Sequence, residues 1–529
     1  MMEGSPQPGS RSLTWRLTLS VLSAILGSFT FGYNTGVINA PQAIIEDFMN
    51  YTQLERSGNI MEEGTKSIIW GFAVAIFAVG GMTGGVLAGW WSHVFGRKIG
   101  MLLCNVFTII GAALMGTSQV AKSYEMIIVG RLVVGLSCGL FTGLVPMYIN
   151  EVAPTNLRGA LGTLHQLGVT VGILVSQILG IPEILGNVTG WPILLGLTGA
   201  PAVLQLLTLP LCPASPRHLL IDKSKEKEAR DALVALRGSQ EVEEEMEEMR
   251  QEKKAGEKEA KMNLIQLFRT ATLRQPLLVS VVMHLSQQLS GILVVFYYST
   301  SLFTEAGIDD QKLASYLTVG VGGIMVIMTF VTIPLMDRAG RRTLHLIGLL
   351  GMLVLGILLT ISMALQNLVQ WFSYISVASA LLFVVFFALG PGSIPWMIVA
   401  ELFSQGPRAA AVSFGVLTNW TANFAVGLAF PPMQKALGVY SFLPFSGLLL
   451  LCTIFLWKFL PETKNKTFDE IASLFTGKYA AAVEVGESAT RGITSKTDQN
   501  GTYGSSTESN SANESTNLLV KDNHMVTQM

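Results

Sequence analysis

Apolar residues along this chain gather into runs long enough to cross a bilayer, divided by polar segments. Twelve such runs stand at approximately 17–40, 67–90, 99–119, 126–149, 159–182, 191–212, 275–302, 312–335, 344–366, 372–402, 410–433 and 440–460. Each comes near the about 20 residues that a helix needs to cover a hydrocarbon core. An even number of crossings returns both termini to one side. Arg11, Arg16, Arg97, Lys98, Arg158, the basic residues of 217–274, Arg338, Arg341, Arg342, Arg408, Lys464 and Lys466 all fall at alternate loops. The positive-inside rule places those loops, and with them both termini, in the cytoplasm. The opposite loops carry few basic residues, among them Arg56, Lys66, Lys122 and Lys435.

Composition agrees with that pattern. Of 529 residues, 50% are hydrophobic and 13% charged, where a soluble domain carries about 25% charged residues. The chain therefore reads as an all-α, multispanning membrane protein whose first partner is the lipid bilayer. A net charge of -1 argues for neither nucleic acid nor a strongly acidic partner. Cys104, Cys138, Cys212 and Cys452 sit in or beside apolar runs without metal-ligand spacing, so neither a disulfide framework, a metal site nor a cofactor follows. No P-loop or nucleophile–base pair points to an enzyme. The first run follows Arg16 without a small-residue cleavage site, which reads as a span and not as a removable signal.

The chain repeats itself. Gly96-Arg97-Lys98 is echoed by Gly340-Arg341-Arg342, Glu151 with Arg158 by Glu401 with Arg408, and Pro213 to Arg217 by Pro461 to Lys464. Two parallel six-helix halves would produce such echoes, with a solute path between them. The domains expected are a cytoplasmic N-terminus (1–16), a first half (17–212), a cytoplasmic helical linker (213–274), a second half (275–460) and a cytoplasmic tail (461–529). Arg97, Glu151, Arg158, Arg217, Arg341, Arg342, Glu401, Arg408 and Glu462 cluster where both halves meet the cytoplasm. They are expected to form ion pairs that exist only while that side is closed. Glu- and Lys-rich 222–262 predicts short helices bracing the halves, with Gly238 as a stop and Ser239 as an N-cap.

After about residue 478 the tail is rich in Ser, Thr, Asn and Gly, a composition that buries too little apolar surface to fold. Within it, Glu514 to Leu519 has the form of an acidic dileucine signal, which would engage trafficking adaptors through Leu518 and Leu519. Thr527-Gln528-Met529 has the form of a weak sheet-edge ligand. Sequons begin at Asn50 and Asn187 on the outer side, and Asn50 is the expected glycosylation site. Those at Asn419, Asn465, Asn500 and Asn513 fall in a span or in the cytoplasm and are expected to stay unmodified.

The candidate chemistry sits in span seven, SVVMHLSQQLSGILVVFYYSTSL, where Gln287 and Gln288 need partners at a depth that offers no water. On an unbroken helix His284, Gln287, Gln288 and Gly291 share one face, and Ser290-Gly291 is where that helix loosens. An amide carries donor and acceptor together, which suits vicinal hydroxyls of a sugar. Interhelical glue is the competing reading. Gly390, Pro391, Gly392 and Pro395 predict a break in span ten near Trp396.

These stretches resemble the facilitative glucose transporters, in the sugar-porter branch of the major facilitator superfamily. The likeness is carried by Phe31 to Gln42, Val145 to Gly172, Gln287 to Gly291, Phe296-Tyr297-Tyr298, Asp337 to Arg342, Gly390 to Arg408, Asn419-Trp420-Thr421 and Pro461 to Lys464. The resemblance implies that Gln166, Gln287, Gln288 and Asn419 hydrogen-bond a hexose and that Trp396 supplies an aromatic floor. It implies further that Phe296, Tyr297 and Tyr298 form an outer gate, with Trp420 near the inner end of the site. Leu293, Met325, Ala388 and Thr30 depart from the polar residues of that family's glucose site, and Ala214 from its glutamate. Weaker or altered hexose recognition is expected from the first four, and a weaker ion-pair cluster, tilted toward an inward-open state, from the last. Asn34 stands where proton-driven relatives have aspartate, which implies facilitative uniport by alternating access. Another polyhydroxylated solute (fructose, dehydroascorbate, a polyol) or a sugar sensor with little flux are the alternatives.

Overall fold

The computed structural model describes residues 13–155, 157–258, 262–464, 466, 470–471 and 473–475. Leu518, Leu519, the C-terminal tripeptide and the sequons at Asn465, Asn500 and Asn513 lie outside the described residues. The first six spans are Trp15–Gly36, Glu63–Phe95, Arg97–Thr117, Glu125–Val152, Arg158–Leu179 and Trp191–Leu211. The second six are Ala271–Glu305, Gln311–Ala339, Arg341–Leu365, Trp371–Leu402, Gln405–Leu437 and Leu443–Phe459. Ten of these are long and apolar enough to cross a membrane singly, and the last two pass only together, with a 95° bend at the break between them. The reason is local: span eleven carries Asn419, Asn423, Gln434, Lys435 and two internal prolines, and span twelve has only 17 residues.

Small residues decide how closely the spans approach. A Cβ on Gly80 or Gly84 of span two would run into the backbone of span four, and one on Gly135 or Gly139 into that of span two. With lipid on the outside, such backbone-to-backbone packing replaces the hydrophobic drive of a soluble bundle. One element went unforeseen, a 16-residue helix, Gln42–Ser57, in what reads as the first loop. Its buried stripe, Ile45, Met49 and Thr52, has the i, i+4, i+7 spacing of an amphipathic helix.

The segment between the halves forms a single π-helical turn, His218–Asp222, then the helices Glu226–Arg237, Glu243–Lys258 and Leu264–Arg269. Gly238 ends the first of these helices at φ 66°, as expected. Ser239 is not the N-cap of the next; its hydroxyl accepts from Glu241 N at 3.1 Å, inside the connecting turn. The helices also divide their attachments. Arg237 donates to Val152 O at 2.9 Å and Thr14 to Leu236 O at 2.6 Å, tying the first helix to the first half. Phe268 packs edge-on against Phe414 at 5.0 Å, tying the last to the second half.

Two ends of the bundle are thereby defined, a linker end and a far end. At the far end the halves are joined. Lys435 pairs with Glu63 at 3.4 Å and Lys312 with Glu183 at 2.8 Å, while Asn39 reaches from the end of span one into span seven.

Candidate functional site

Two broken helices build the centre of the second half. Span seven stops at Gln288 and restarts at Ile292, with Gly291 at φ 92°, a conformation that favours glycine. Ser290 seals the break, donating to Gln287 O at 2.8 Å and accepting from Ile292 N at 3.3 Å. Span ten stops at Leu389 and resumes at Ile394, so its break precedes Trp396, which lies in the first turn of the resumed helix.

Gln287 links the two breaks. Its Nε2 donates to Pro391 O at 2.7 Å and Gly392 O at 2.8 Å, carbonyls that the broken helix leaves without partners. Its Oε1 accepts from Asn419 Nδ2 at 2.6 Å and Gln288 Nε2 at 3.2 Å. An amide has two donors and two acceptor lone pairs, so Gln287 is saturated in this state, as the glue reading has it. Gln288 Nε2 also donates to Asn419 Oδ1 at 3.0 Å. Among the described residues, Gln288 Oε1 has only Asn423 Nδ2, at 3.5 Å, the limit of a useful hydrogen bond. Asn419 Nδ2 meets His284 Nδ1 at 3.2 Å, and the imidazole stands edge-on to Trp396 at 5.1 Å.

The structure thus brings Gln287, Gln288, Asn419 and Trp396 together around His284. Gln166, on span five, is not hydrogen-bonded to them. It is half-buried in the other half, beside His165, which bonds Ser28 at 2.7 Å. Leu293, Met325 and Ala388 are all buried apolar positions, at 4%, 3% and 6% exposure.

Of the three aromatics expected at an outer gate, Tyr297 donates to Asn423 Oδ1 at 3.3 Å, Tyr298 to Gly427 O at 3.1 Å, and Phe296 packs on Phe387 at 5.9 Å. All three contacts stay within the second half. Beside them, Asn39 bridges the halves. Tyr298 departs from helical geometry at φ -136°, and the Asn39 amide enters that kink. It donates to Phe296 O at 3.1 Å and accepts from Thr300 N at 3.3 Å, replacing the i to i+4 bond that the kink removes. Sequence reasoning missed Asn39 as a functional residue, although a polar residue two positions before Pro41 at a span end is the signal that marks it. Trp420 lies in the seam between halves, 5.6 Å from Phe31 and 5.8 Å from Phe77.

At the linker end, Arg97 pairs with Glu151 at 2.8 Å and Arg341 with Glu401 at 3.2 Å, each inside one half. Within the expected cluster, Glu151 is taken by Arg97 and by the Ser215 hydroxyl at 2.5 Å. Arg158 Nε is buried without a partner among the described residues. Arg217 pairs with Glu252, and Arg408 donates to Phe403 O at 3.1 Å. Burial works to raise the Asp222 carboxyl, but hydrogen bonds from His218 and Arg97 and the Arg97 charge hold it at about 2. Asn50 lies in the Gln42–Ser57 helix, half-buried, its Oδ1 without a partner among the described residues.

Paired helical halves around broken, amide-bearing spans define a membrane carrier, and the comparisons give its family. Residues 20–475 match the model of the sugar (and other) transporter family, and the chain belongs to that family. It is 49% identical over 470 residues to solute carrier family 2, facilitated glucose transporter member 3 of Canis lupus familiaris, covering 89% of this chain and 94% of that one. It is 49% identical over 469 residues to member 1 of Gallus gallus, covering 89% and 95%. Among solved structures it is similar to the partially occluded inward-open xylose transporter XylE from E. coli, with a TM-score of 0.72 and 27% identity over 86% of this chain and 100% of that one. It is similar also to the proton:xylose symporter XylE bound to 6-bromo-6-deoxy-D-glucose, again with a TM-score of 0.72 and 27% identity, over 88% and 100%.

Proposed function

We propose that this chain carries a hexose such as D-glucose down its gradient by alternating access. The observation that carries the reading is the amide cluster of Gln287, Gln288 and Asn419 at two helix breaks, walled by Trp396. Amide edges match sugar hydroxyls and an indole face matches the C–H face of the ring. Gln288 Oε1 and the half-buried Gln166 are the groups left to meet the solute. The two relatives at 49% identity are named as facilitated glucose transporters, which supports the substrate class.

Uniport follows from span one. Arg131 is fully buried, donates to the backbone carbonyls of Asn34 at 2.8 Å and Val74 at 3.2 Å, and lies 4.6 Å over the Phe77 ring. Asn34 itself accepts from Thr198 at 3.1 Å and donates to Thr30 O at 2.8 Å. An amide at that position takes up no proton in the physiological range. The basic residues at the linker end support a cytoplasmic linker and termini; likeness to the facilitated glucose transporters supports the plasma membrane as the site, with Leu518 and Leu519 available to trafficking adaptors. Glycosylation at Asn50 stands on its sequon and its far-end position.

The buried Leu293, Met325 and Ala388 favour a second reading, another polyhydroxylated solute with fewer hydroxyls to satisfy on that side. Uptake of labelled D-glucose, D-fructose and dehydroascorbate into proteoliposomes at two pH values tests both. Equilibration without accumulation at either pH is expected, and accumulation above the outside concentration would refute uniport.

A further inference from the structure

Gln177 stands about three turns beyond Gln166 on span five, toward the far end. It is 3% exposed, and both polar atoms of its amide, Nε2 and Oε1, are buried with no partner among the described residues. Its position is the seam between the halves. A Cβ on Gly322 of span eight would run into Gln177 Oε1 and stand 2.9 Å from Leu174 Cα. Along the same seam other polar groups have strong partners, Thr329 donating to Met325 O at 2.8 Å on the linker side and Lys312 pairing with Glu183 at 2.8 Å on the far side. The Gln177 amide between them has no partner among the described residues.

A buried donor and acceptor left unpaired destabilise the state that buries them, and only that state. When spans five and eight part at the far end, water reaches Gln177 and the cost disappears. We infer that Gln177 is an opening bias on the far-end gate, set against the Asn39 clasp and the two ion pairs that hold the gate shut. Gly322 is its counterpart, the bare backbone that lets the seam close over the amide at all. A gate that must open in every cycle works best when closure is only modestly favoured. The inference rests on alternating access but not on the identity of the solute.

The test uses the full chain in lipid nanodiscs without sugar, with Cys452→Ser and Ser315→Cys. Ser315 is 5% exposed, seven residues before Gly322 on the same face of span eight, and its hydroxyl donates to Gln311 O at 2.9 Å within its own helix. Its rate of labelling by a charged maleimide reports far-end opening. Gln177→Leu should slow labelling about five- to tenfold and raise the unfolding midpoint. Gly322→Ala, a wedge against Leu174, should speed labelling. Unchanged or faster labelling in Gln177→Leu, or faster labelling with a lowered midpoint, would overturn the inference. Labelling that behaves as described in a protein that moves no hexose would leave this gate intact and refute the carrier reading alone.

Discussion

The two halves share one design at the linker end and differ at the residue that precedes its hydroxyl. In the first, Arg97 pairs with Glu151 and Ser215 donates to the same carboxylate; in the second, Arg341, Glu401 and Thr463 repeat the arrangement, with Thr463 at 2.5 Å. Glu462 then accepts from the backbone N–H groups of Arg341 at 2.9 Å, Arg342 at 3.0 Å, Thr463 at 3.1 Å and Lys464 at 3.1 Å. It caps span nine and complements its dipole. The equivalent residue of the first half is Ala214, so span three begins with two basic residues and no carboxylate from that position. The ion pair does not suffer, since Arg97–Glu151, at 2.8 Å, is shorter than Arg341–Glu401, at 3.2 Å. What the alanine removes is a helix cap.

The halves differ at mid-depth as well. The first packs spans two and four backbone to backbone through glycines. The second interrupts spans seven and ten and spends an amide on the freed carbonyls. This contrast yields the largest prediction. Gln287→Leu strands Pro391 O, Gly392 O and one N–H each of Asn419 and Gln288, at about 1–3 kcal/mol for each group left unpaired. Thermal unfolding in detergent should show a steep loss, whereas Gln166→Leu in the first half should leave the midpoint nearly unchanged.

Smaller effects sharpen the linker-end comparison. Glu462→Ala should lower stability by about 1–2 kcal/mol, measurable as a fall in the unfolding midpoint. Ala214→Glu should raise it by about 0.5–1 kcal/mol, and a loss would show that the first half has no room for the cap. The smallest concerns acid. The Asp222 carboxyl is held at about 2 against an ordinary 3.8, so its contribution is complete above 3.8 and is lost as pH falls toward 2. Between pH 5 and pH 3 the wild type should lose more stability than Asp222→Asn, by no more than about 1 kcal/mol once solvent screening is allowed for.

Span positions, the duplication, the loosening at Ser290-Gly291 and the break in span ten were all legible, because each is written in local chemistry: apolar length, glycine, proline. Partnerships were not. Nothing local assigns Glu151 to Arg97 in preference to Arg158, inserts Asn39 into the kink at Tyr298, or turns Gln287 toward span ten, since these pairings join residues 54 to 257 positions apart. The Gln42–Ser57 helix hid for another reason: its apolar stripe is too sparse to stand out beside true spans.

The central claim, that the amide cluster of the second half grips the sugar, is tested most directly by binding of D-glucose to the purified protein. Gln288→Leu removes the one acceptor in the cluster that lacks a strong partner, and should weaken binding at least about tenfold, as the loss of a hydrogen-bond partner to a hydroxyl does. Unaltered affinity in Gln288→Leu, with the fold intact by thermal unfolding, would contradict it.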